Sequence, residues 1–308
     1  MNIAADTAEV LVETRGPLGL ITLNRPKALN ALSGSMIEII EPALAVWAKD
    51  DRIAAVLIRG AGGKAFCAGG DVRAIATGGD SPEARRMKAA YFAAEYRLNY
   101  HIHTFAKPFI ALIDGITMGG GCGLSLHGSH VVATERTLLA MPETVLGLFP
   151  DVGATWFLNR LAGEMGVYLG LSGVRLRASD LVALGMAQVM VPSDRAEALI
   201  ADLAAGPLDT AAIDAALARH AGDAGASQVA ARQSAVDRLF AGATVEAIAE
   251  TLGRRRGGVG KRDTGDDQAR FADQPEDHAA PAARRKAHRS GRDVPDRIPP
   301  RRALHHRP

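Results

Sequence analysis

The chain has 308 residues, and its 36 Lys and Arg nearly balance its 34 Asp and Glu, giving a formal charge of +2 at pH 7. A chain of this length suits one large domain, or one and a half, and can bury a sizeable core. Residues 253–308 hold 15 Lys and Arg against 8 Asp and Glu, so the remainder is mildly acidic and no nucleic-acid partner is expected. No apolar stretch reaches the roughly 18 residues of a membrane helix, so no membrane partner is expected either.

Two cysteines, Cys67 and Cys122, both lie in glycine-rich apolar surroundings. This pattern indicates small buried thiols in a reduced chain rather than a disulfide scaffold. Neither cysteine has a Cys or His partner at ligand spacing, so no metal site is expected. The first ten residues, M-N-I-A-A-D-T-A-E-V, lack the pattern of a secretory signal and the arginines of a transit peptide. A cytoplasmic location is therefore predicted.

The first predicted elements are two strands, residues 10–14 and 18–23, joined by an Arg-Gly-Pro turn into a hairpin. Ser33 can cap a helix that runs to about residue 49, with apolar side chains at helical spacing. Residues 53–58, I-A-A-V-L-I, form a continuous apolar run that is typical of a strand buried on both faces.

Helices and strands alternate through the next part of the chain. The predicted elements in order are a long helix (82–105), a strand (109–113), a glycine turn into a helix (115–127) and two short strands (131–133 and 138–141). Beyond Asp151 the pattern is helical to about residue 252, apart from a short apolar run at 187–191. Such alternation predicts an α/β fold, and the glycine-rich turns after its strands indicate where a ligand binds.

Two carboxylates lie in the apolar segment M-P-E-T-V-L-G-L-F-P-D-V-G, where Glu143 and Asp151 each stand beside a proline. A glycine cluster, Gly119–Gly121, precedes this segment. Glycines allow backbone to approach a ligand closely and leave N–H groups free to point at it. Acids beside free amides suit acyl chemistry, which needs a base or nucleophile and donors for a developing oxyanion. The alternative is two surface acids near a turn.

A second glycine loop lies in K-A-F-C-A-G-G-D, where the N–H groups of Gly69 or Gly70 would point into the space above the sheet. The cluster at Gly119–Gly121 opens a helix, so its amides carry the positive end of that helix's dipole. Two amides from separate loops that face one point form an oxyanion hole. Taken singly, either loop could be an ordinary tight turn. Neither matches G-x-G-x-x-G or a Walker A pattern, so nucleotide phosphate binding has no support.

Three motifs, K-A-F-C-A-G-G-D, A-L-I-D-G-I-T-M-G-G-G-C-G-L-S and M-P-E-T-V-L-G-L-F-P-D-V-G, occur here in one order. Together they resemble the crotonase (enoyl-CoA hydratase/isomerase) superfamily, and within it the 3-hydroxyisobutyryl-CoA hydrolases, from about residue 10 to about residue 252. The resemblance implies a spiral of repeated ββα turns followed by a helical region used in self-association, and hence a homo-oligomer. It also implies an acyl-CoA thioester as substrate, with no separate cofactor because coenzyme A is part of that substrate.

The resemblance also assigns roles to individual residues. It implies Gly70 and Gly120 as the two oxyanion amides, Glu143 and Asp151 as the catalytic acid pair, and Glu95 as a further substrate contact. Ala68 and Gly69 lie beside the first amide and are expected to contact substrate. The coenzyme A groove would begin at residues 24–32, where Arg25 and Lys27 could meet phosphates. For these two bases an ordinary role as solvated surface charges is the alternative.

Enoyl-CoA hydratases use two glutamates, and the first falls on Gly123 of this chain. Because glycine cannot accept a proton, while Glu143 is kept and Asp151 is new, the pattern favours hydrolysis of 3-hydroxyisobutyryl-CoA, a step in valine breakdown, over hydration. The sequence leaves open whether Glu143 is a nucleophile or a general base. The alternatives are a hydratase or isomerase acting on another acyl-CoA, and a catalytically dead binding or assembly subunit.

The predicted organisation is a core at residues 1–200 that holds the site, a helical region at 201–252, and a tail at 253–308. The tail holds 13 Arg and 6 Pro and few large apolar residues, so we expect it to be disordered. We hypothesise that it is a frameshift product, which would leave apolar surface of the body uncovered. A genuine basic tail and an arm that binds an anionic surface are the alternatives. Translating the other two frames beyond codon 252 tests this, because a frameshift requires helical apolar periodicity in one of them.

Overall fold

The structure is a computed structural model that describes residues 8–71, 79 and 81–257, with side chains through residue 253. One unit of the chain comprises Met1–Arg254. The second unit, Arg255–Pro308, lies almost wholly outside the described residues, and with it the predictions for the tail. The last described helix runs past the predicted boundary at residue 252 and ends at Gly257.

A six-stranded sheet has the order β1-β2-β3-β5-β7-β9. Its strands are β1 (Val10–Arg15), β2 (Leu18–Leu23), β3 (Ala55–Gly60), β5 (Phe109–Ile113), β7 (His130–Ala133) and β9 (Val189–Met190). The strands β1 and β2 form the predicted antiparallel hairpin, and every later pairing in this sheet is parallel. Parallel pairing between strands separated by helices confirms the predicted α/β class.

Both faces of this sheet are buried, as the apolar run at 53–58 predicts. On β3, Val56 and Ile58 belong to one apolar cluster, whereas Ala55 and Leu57 belong to another. Side chains of successive strand residues point to opposite faces, so the sheet lies between two layers of apolar packing. The strand itself begins later than predicted, at Ala55, because the N–H of Ile53 bonds to the carbonyl of Asp50 in the preceding turn.

A smaller three-stranded sheet, β4-β6-β8, is entirely parallel. Its strands are β4 (Ala65–Cys67), β6 (Ile116–Met118) and β8 (Leu138–Ala140). The prediction of a turn leading directly from residue 115 into a helix was wrong, because β6 intervenes. Three residues are too few for any periodicity to be read from sequence. Parallel strands place all their carboxyl ends at one edge, so the segments that follow β4, β6 and β8 meet there.

Serine residues cap two helices, and the cap at Ser33 is the predicted one. Helix α1 (Gly34–Trp47) follows Ser33, whose Oγ accepts from the N–H of Met36 at 3.2 Å. Helix α2 (Pro82–His103) is capped by Ser81, with proline in its first turn. The remaining α-helices of the described residues are α3 (Gly120–Ser125), α4 (Ala154–Phe157), α5 (Met165–Ser172), α6 (Ala178–Ala183), α7 (Ala196–Ala205), α8 (Thr210–His220), α9 (Gln233–Phe240) and α10 (Val245–Gly257).

Candidate active site

The loop after β4 presents Gly70 to the rest of the site. The carbonyl oxygen of Gly69 accepts from the N–H of Leu32 at 2.8 Å, and the backbone N–H of Asp71 donates to the carbonyl oxygen of Leu32 at 2.9 Å. Because extended backbone alternates its direction, the N–H of Gly70 points away from Leu32. A Cβ atom added at Gly120 would lie 3.1 Å from that nitrogen. The two predicted oxyanion residues therefore come from separate loops and lie side by side.

The glycine triplet Gly119–Gly121, which follows β6, has room for no side chain. Gly119 has a φ of +48°, which favours glycine, and Gly120 begins α3. The first N–H groups of a helix have no carbonyl partner within it, so the amide of Gly120 is available to a ligand. A Cβ at Gly120 would collide with Oε1 of Glu95, and one at Gly121 with the carbonyl of Cys67. The triplet is thus in close contact with both the sheet and an acid.

Glu143 lies directly against this triplet. It opens a short 3₁₀ turn, Glu143–Leu146, just after β8, and only 6% of its surface is exposed. A Cβ at Gly119 would lie 2.9 Å from its Oε1, and its Oε2 has no hydrogen-bond partner among the described residues. Burial raises the pKa of Glu143 to about 7, its own backbone N–H opposes that rise, and the charge of Asp151 adds to it. The carboxyl group is therefore poised to gain or lose a proton near neutral pH.

Glu95 lies on α2 and is 2% exposed. Burial, with smaller contributions from the negative charges of Asp151 and Glu143, raises its pKa to about 8. Glu95 is therefore predominantly protonated at pH 7. Carboxyl groups that share a poorly solvated site cannot all ionise, so the site holds a neutral acid next to Gly120.

Asp151 follows Glu143 by eight residues and is half-buried. The hydroxyl of Tyr96 donates to its Oδ2 at 2.7 Å. Sequence reasoning missed Tyr96, although it directly follows Glu95 and so belongs to the same turn of α2. One helical turn therefore places an acid at the glycine triplet and holds a second acid by a hydrogen bond.

The backbone after Asp151 is strained. Val152 has a φ of +46° and Gly153 one of +77°. A left-handed β-branched residue is a genuine outlier and costs about 1–3 kcal/mol. Nε2 of His127 lies 2.8 Å from the carbonyl oxygen of Val152, and sequence reasoning did not find this contact either. Since a carbonyl can only accept, the imidazole donates this bond.

The position of Gly123 is already filled. A Cβ there would lie 2.7 Å from Nδ2 and 2.8 Å from Oδ1 of Asn99, and 2.9 Å from Cβ of Val152. Asn99 is 4% exposed, and neither atom of its amide has a hydrogen-bond partner among the described residues. Position 123 therefore lacks a carboxylate, because it is a glycine, and it also lacks the space for one. Its helical spacing from Glu95, one turn away, could have drawn attention to Asn99.

The remaining predicted binding residues are Arg25, Lys27 and Ala68. Arg25 forms ion pairs with Glu9 at 2.9 Å and Asp71 at 3.0 Å, so its charge is already compensated and a structural role is favoured. Lys27 is exposed in a 3₁₀ turn, where it is free to meet an anionic ligand or water. Ala68 is half-buried, and its N–H donates to a carbonyl of the 24–32 segment.

The described residues provide neither a metal-binding cluster nor a membrane-spanning helix. Within residues 8–71, 79 and 81–257, no group of three or more His, Cys, Asp or Glu side chains is arranged to hold a metal ion. Over the same described part of the chain, every helix is too short or too polar to cross a membrane.

Comparison with known proteins adds independent evidence. A family model described as enoyl-CoA hydratase/isomerase matches residues 18–277. The 3-hydroxyisobutyryl-CoA hydrolase, mitochondrial, of Danio rerio is 49% identical over 251 residues, covering 80% of this chain and 65% of the relative. The protein of the same name from Xenopus tropicalis is 46% identical over 257 residues, or 82% of this chain and 66% of the relative. A crystal structure of a carnitinyl-CoA dehydratase from Mycobacterium thermoresistibile has a TM-score of 0.74 and 41% identity, covering 81% of this chain and 71% of that one.

Fold and site together define the crotonase class, in which parallel strands end in glycine loops beside buried acids. The chain belongs to the enoyl-CoA hydratase/isomerase family, which confirms the resemblance found in its motifs. It spans slightly less than two thirds of the length of the two curated relatives described above.

Proposed function

We propose that this site hydrolyses an acyl-CoA thioester, and that the substrate is 3-hydroxyisobutyryl-CoA, which yields 3-hydroxyisobutyrate and coenzyme A. The observation that carries the proposal is that Glu143 lies buried against the glycine triplet, while Asn99 occupies the space at Gly123 where hydration would need another acid. One general base or nucleophile beside two amides suits acyl transfer to water. The names of the fish and frog relatives support the choice of acyl group.

In this mechanism the thioester oxygen accepts from the N–H groups of Gly70 and Gly120. Each donor contributes about 3 kcal/mol as negative charge develops on that oxygen. Glu143 either attacks the carbonyl carbon to give a mixed anhydride, or removes a proton from a water that attacks instead. In both cases the carbon–sulfur bond breaks and its electron pair leaves with coenzyme A thiolate. On the first route a water then attacks the acyl carbon of the mixed anhydride, and the bond from that carbon to the Glu143 oxygen breaks, which releases the acid and regenerates the carboxylate. On the second route the attacking water supplies the new oxygen of the acid directly. Asp151 positions water or the substrate hydroxyl and carries a proton.

Glu95 contributes through its neutrality. Its carboxyl group abuts Gly120, so a negative charge there would oppose the oxyanion. Because burial keeps Glu95 protonated at pH 7, the site stabilises charge on the substrate without that repulsion. Apart from the coenzyme A of the substrate itself, the mechanism requires no cofactor.

Hydration or isomerisation of another acyl-CoA is the second candidate, since the Mycobacterium structure is named a dehydratase. The space at Gly123 argues against it, because a second carboxylate cannot be placed there while Asn99 remains. A non-catalytic binding subunit is the third candidate. The raised pKa of Glu143 favours an active site over it, since such shifts cluster where protons are moved.

A thiol-release assay with 3-hydroxyisobutyryl-CoA beside crotonyl-CoA tests the proposal. We expect coenzyme A to be released from 3-hydroxyisobutyryl-CoA, and crotonyl-CoA to be neither hydrolysed nor hydrated at a comparable rate. Hydration of crotonyl-CoA without thiol release would replace hydrolysis by the second candidate, and inactivity on both would favour the binding subunit. A homo-oligomer remains a proposal, which sedimentation tests. A cytoplasmic location is also a proposal, which cell fractionation tests; the names of the relatives suggest mitochondria instead.

A further inference from the structure

The ring of His127 connects the two halves of the site. It lies just beyond the end of α3, the helix that begins at Gly120. Its Nε2 lies 2.8 Å from the carbonyl oxygen of Val152, the residue after Asp151. A Cβ added at Gly153 would lie 2.6 Å from both Cε1 and Nε2 of the ring, so the imidazole rests directly on this backbone.

The backbone that His127 contacts does not hold its conformation unaided. Val152 and Gly153 are consecutive left-handed residues, and Val152 is branched at Cβ and almost fully buried. A conformation of this kind persists only where surrounding contacts determine it. The bond from His127 restrains the carbonyl of the strained residue itself, which makes it the contact best placed to do so.

The geometry also defines the protonation of the ring. Nε2 must carry a proton, because its partner is a carbonyl oxygen. Nδ1 is buried and has no hydrogen-bond partner among the described residues. The rings of His103 and Phe157 lie edge to face with the imidazole. Burial lowers the pKa of His127, the hydrogen bond to Val152 opposes that shift, and repulsion from His103 adds to it. His127 therefore bonds to Val152 as a neutral imidazole that is protonated at Nε2.

We infer that His127 is a positioning residue for hydrolysis, which holds the carbonyl of Val152 and thereby sets the place of Asp151 relative to the amide of Gly120. The inference rests on the proposed function only through the role given to Asp151. His127 itself lies behind the strained backbone and is not expected to touch substrate.

Two substitutions at this position separate the hydrogen bond from the packing. His127→Leu fills much of the space without a donor, whereas His127→Gln keeps a donor near the position of Nε2. We expect His127→Leu to lower kcat for thiol release about tenfold or more with KM within about twofold, and His127→Gln to regain most of that loss. His103→Leu is the matched control, because it removes ring contacts to His127 and Trp156 but leaves the hydrogen bond from His127 to Val152 in place. Its kcat should remain near that of the parent. A folded His127→Gln as slow as His127→Leu, or a change confined to KM, would overturn the inference.

Coupling to Val152 provides a second test. Glycine adopts a left-handed conformation without steric cost, so Val152→Gly removes the backbone strain that the hydrogen bond from His127 offsets. In that background His127→Leu should lower kcat less than it does in the parent chain, and equal losses in the two backgrounds would refute the link.

A spectroscopic measurement does not depend on activity. The ¹⁵N signals of the His127 ring are identified as those that are missing from the spectrum of His127→Gln. At pH 7 the chemical shifts of these signals in the parent should be those of a neutral ring protonated at Nε2. A ring protonated at Nδ1, or at both nitrogens, would contradict the inferred neutral His127 that donates from Nε2 to Val152. If the parent releases no coenzyme A but shows this tautomer, the proposed function fails while the His127 contact stands.

Discussion

The glycine loops of the site and the segment that bears its acids are built differently. The loops after β4 and β6 extend from paired parallel strands, and their backbones are in direct contact through glycines. The segment 143–157 has no strand and only short helical turns, and side chains from outside it, including Tyr96 and His127, bond to it. Several of its large apolar side chains are exposed: Val145 by 80%, Leu146 by 71% and Phe149 by 67%.

This difference separates two kinds of sensitivity. The position of the oxyanion donors depends on main-chain pairing, so added atoms disturb it more than the loss of a side chain. The position of the acids depends on single side-chain contacts, so removing one contact should alter catalysis while leaving the fold intact. Substitutions on the two sides of the site therefore test the comparison.

The largest expected effect on catalysis is that of Glu143→Gln. The amide keeps the shape of the side chain but removes the reactive carboxylate, so kcat for thiol release should fall by a factor of about 10² or more. Asp151→Asn should also be severe. Steady-state kinetics on both variants checks the assignment, and it is wrong if both remain within about threefold of the parent.

The largest expected effect on the fold is that of Gly123→Glu. The new side chain would overlap the amide of Asn99, so the free energy of unfolding should fall by about 3 kcal/mol, and hydration of crotonyl-CoA should not appear. Gly34→Glu is the control, because nothing lies within 4 Å of a Cβ at Gly34. Denaturant unfolding of the two variants measures the difference; a Gly123→Glu protein as stable as the control would show that the site can open.

The pH profile should reflect both buried acids. If Glu143 acts as a carboxylate, kcat/KM should rise through its pKa of about 7. If Glu95 must be neutral, activity should fall as pH passes its pKa of about 8. Glu95→Gln cannot ionise, so it should retain the acid limb and lose the alkaline one. A rise centred near the ordinary glutamate pKa of 4.5 would contradict the first part.

The same shifts predict a dependence of stability on pH. Both folded-state pKa values lie above the ordinary 4.5, so between that pH and about 8 the folded chain holds protons that the unfolded chain releases. The free energy of unfolding should therefore decrease across this range as pH rises. Glu95→Gln should flatten the decrease, which denaturant titrations at pH 5 and pH 8 would measure.

A smaller effect is expected for Tyr96→Phe. It removes the hydroxyl that bonds to Asp151 and leaves the ring, so kcat should fall about tenfold with stability almost unchanged. Tyr100→Phe, on the same helix with a 70% exposed side chain, is the control. Equal activity in the two variants would mean that Asp151 needs no support from α2.

The smallest effect is expected for Asn99→Leu. The amide of Asn99 is buried without a partner among the described residues, and an unpaired buried amide costs about 1–3 kcal/mol. An apolar side chain of similar size should leave the melting temperature unchanged or raise it. A marked decrease would show that the amide has a hydrogen-bond partner in solution.

Local patterns in the sequence determined much of the fold. The hairpin of β1 and β2, the cap at Ser33 and the long helix α2 follow from turn residues, a capping side chain and apolar periodicity, all of which act between near neighbours. The motifs that contain Gly70, Gly120 and Glu143 likewise identified the family from the sequence alone.

Tertiary structure alone decided how those motifs meet. Strand β6 is too short to leave a periodic pattern, yet it aligns β4 with β8 and places both glycine loops and Glu143 at one edge. Tyr96 bonds to Asp151 across 55 residues of chain, and His127 to Val152 across 25. Contacts between residues so far apart depend on how the elements pack, so no local pattern of residue types encodes them.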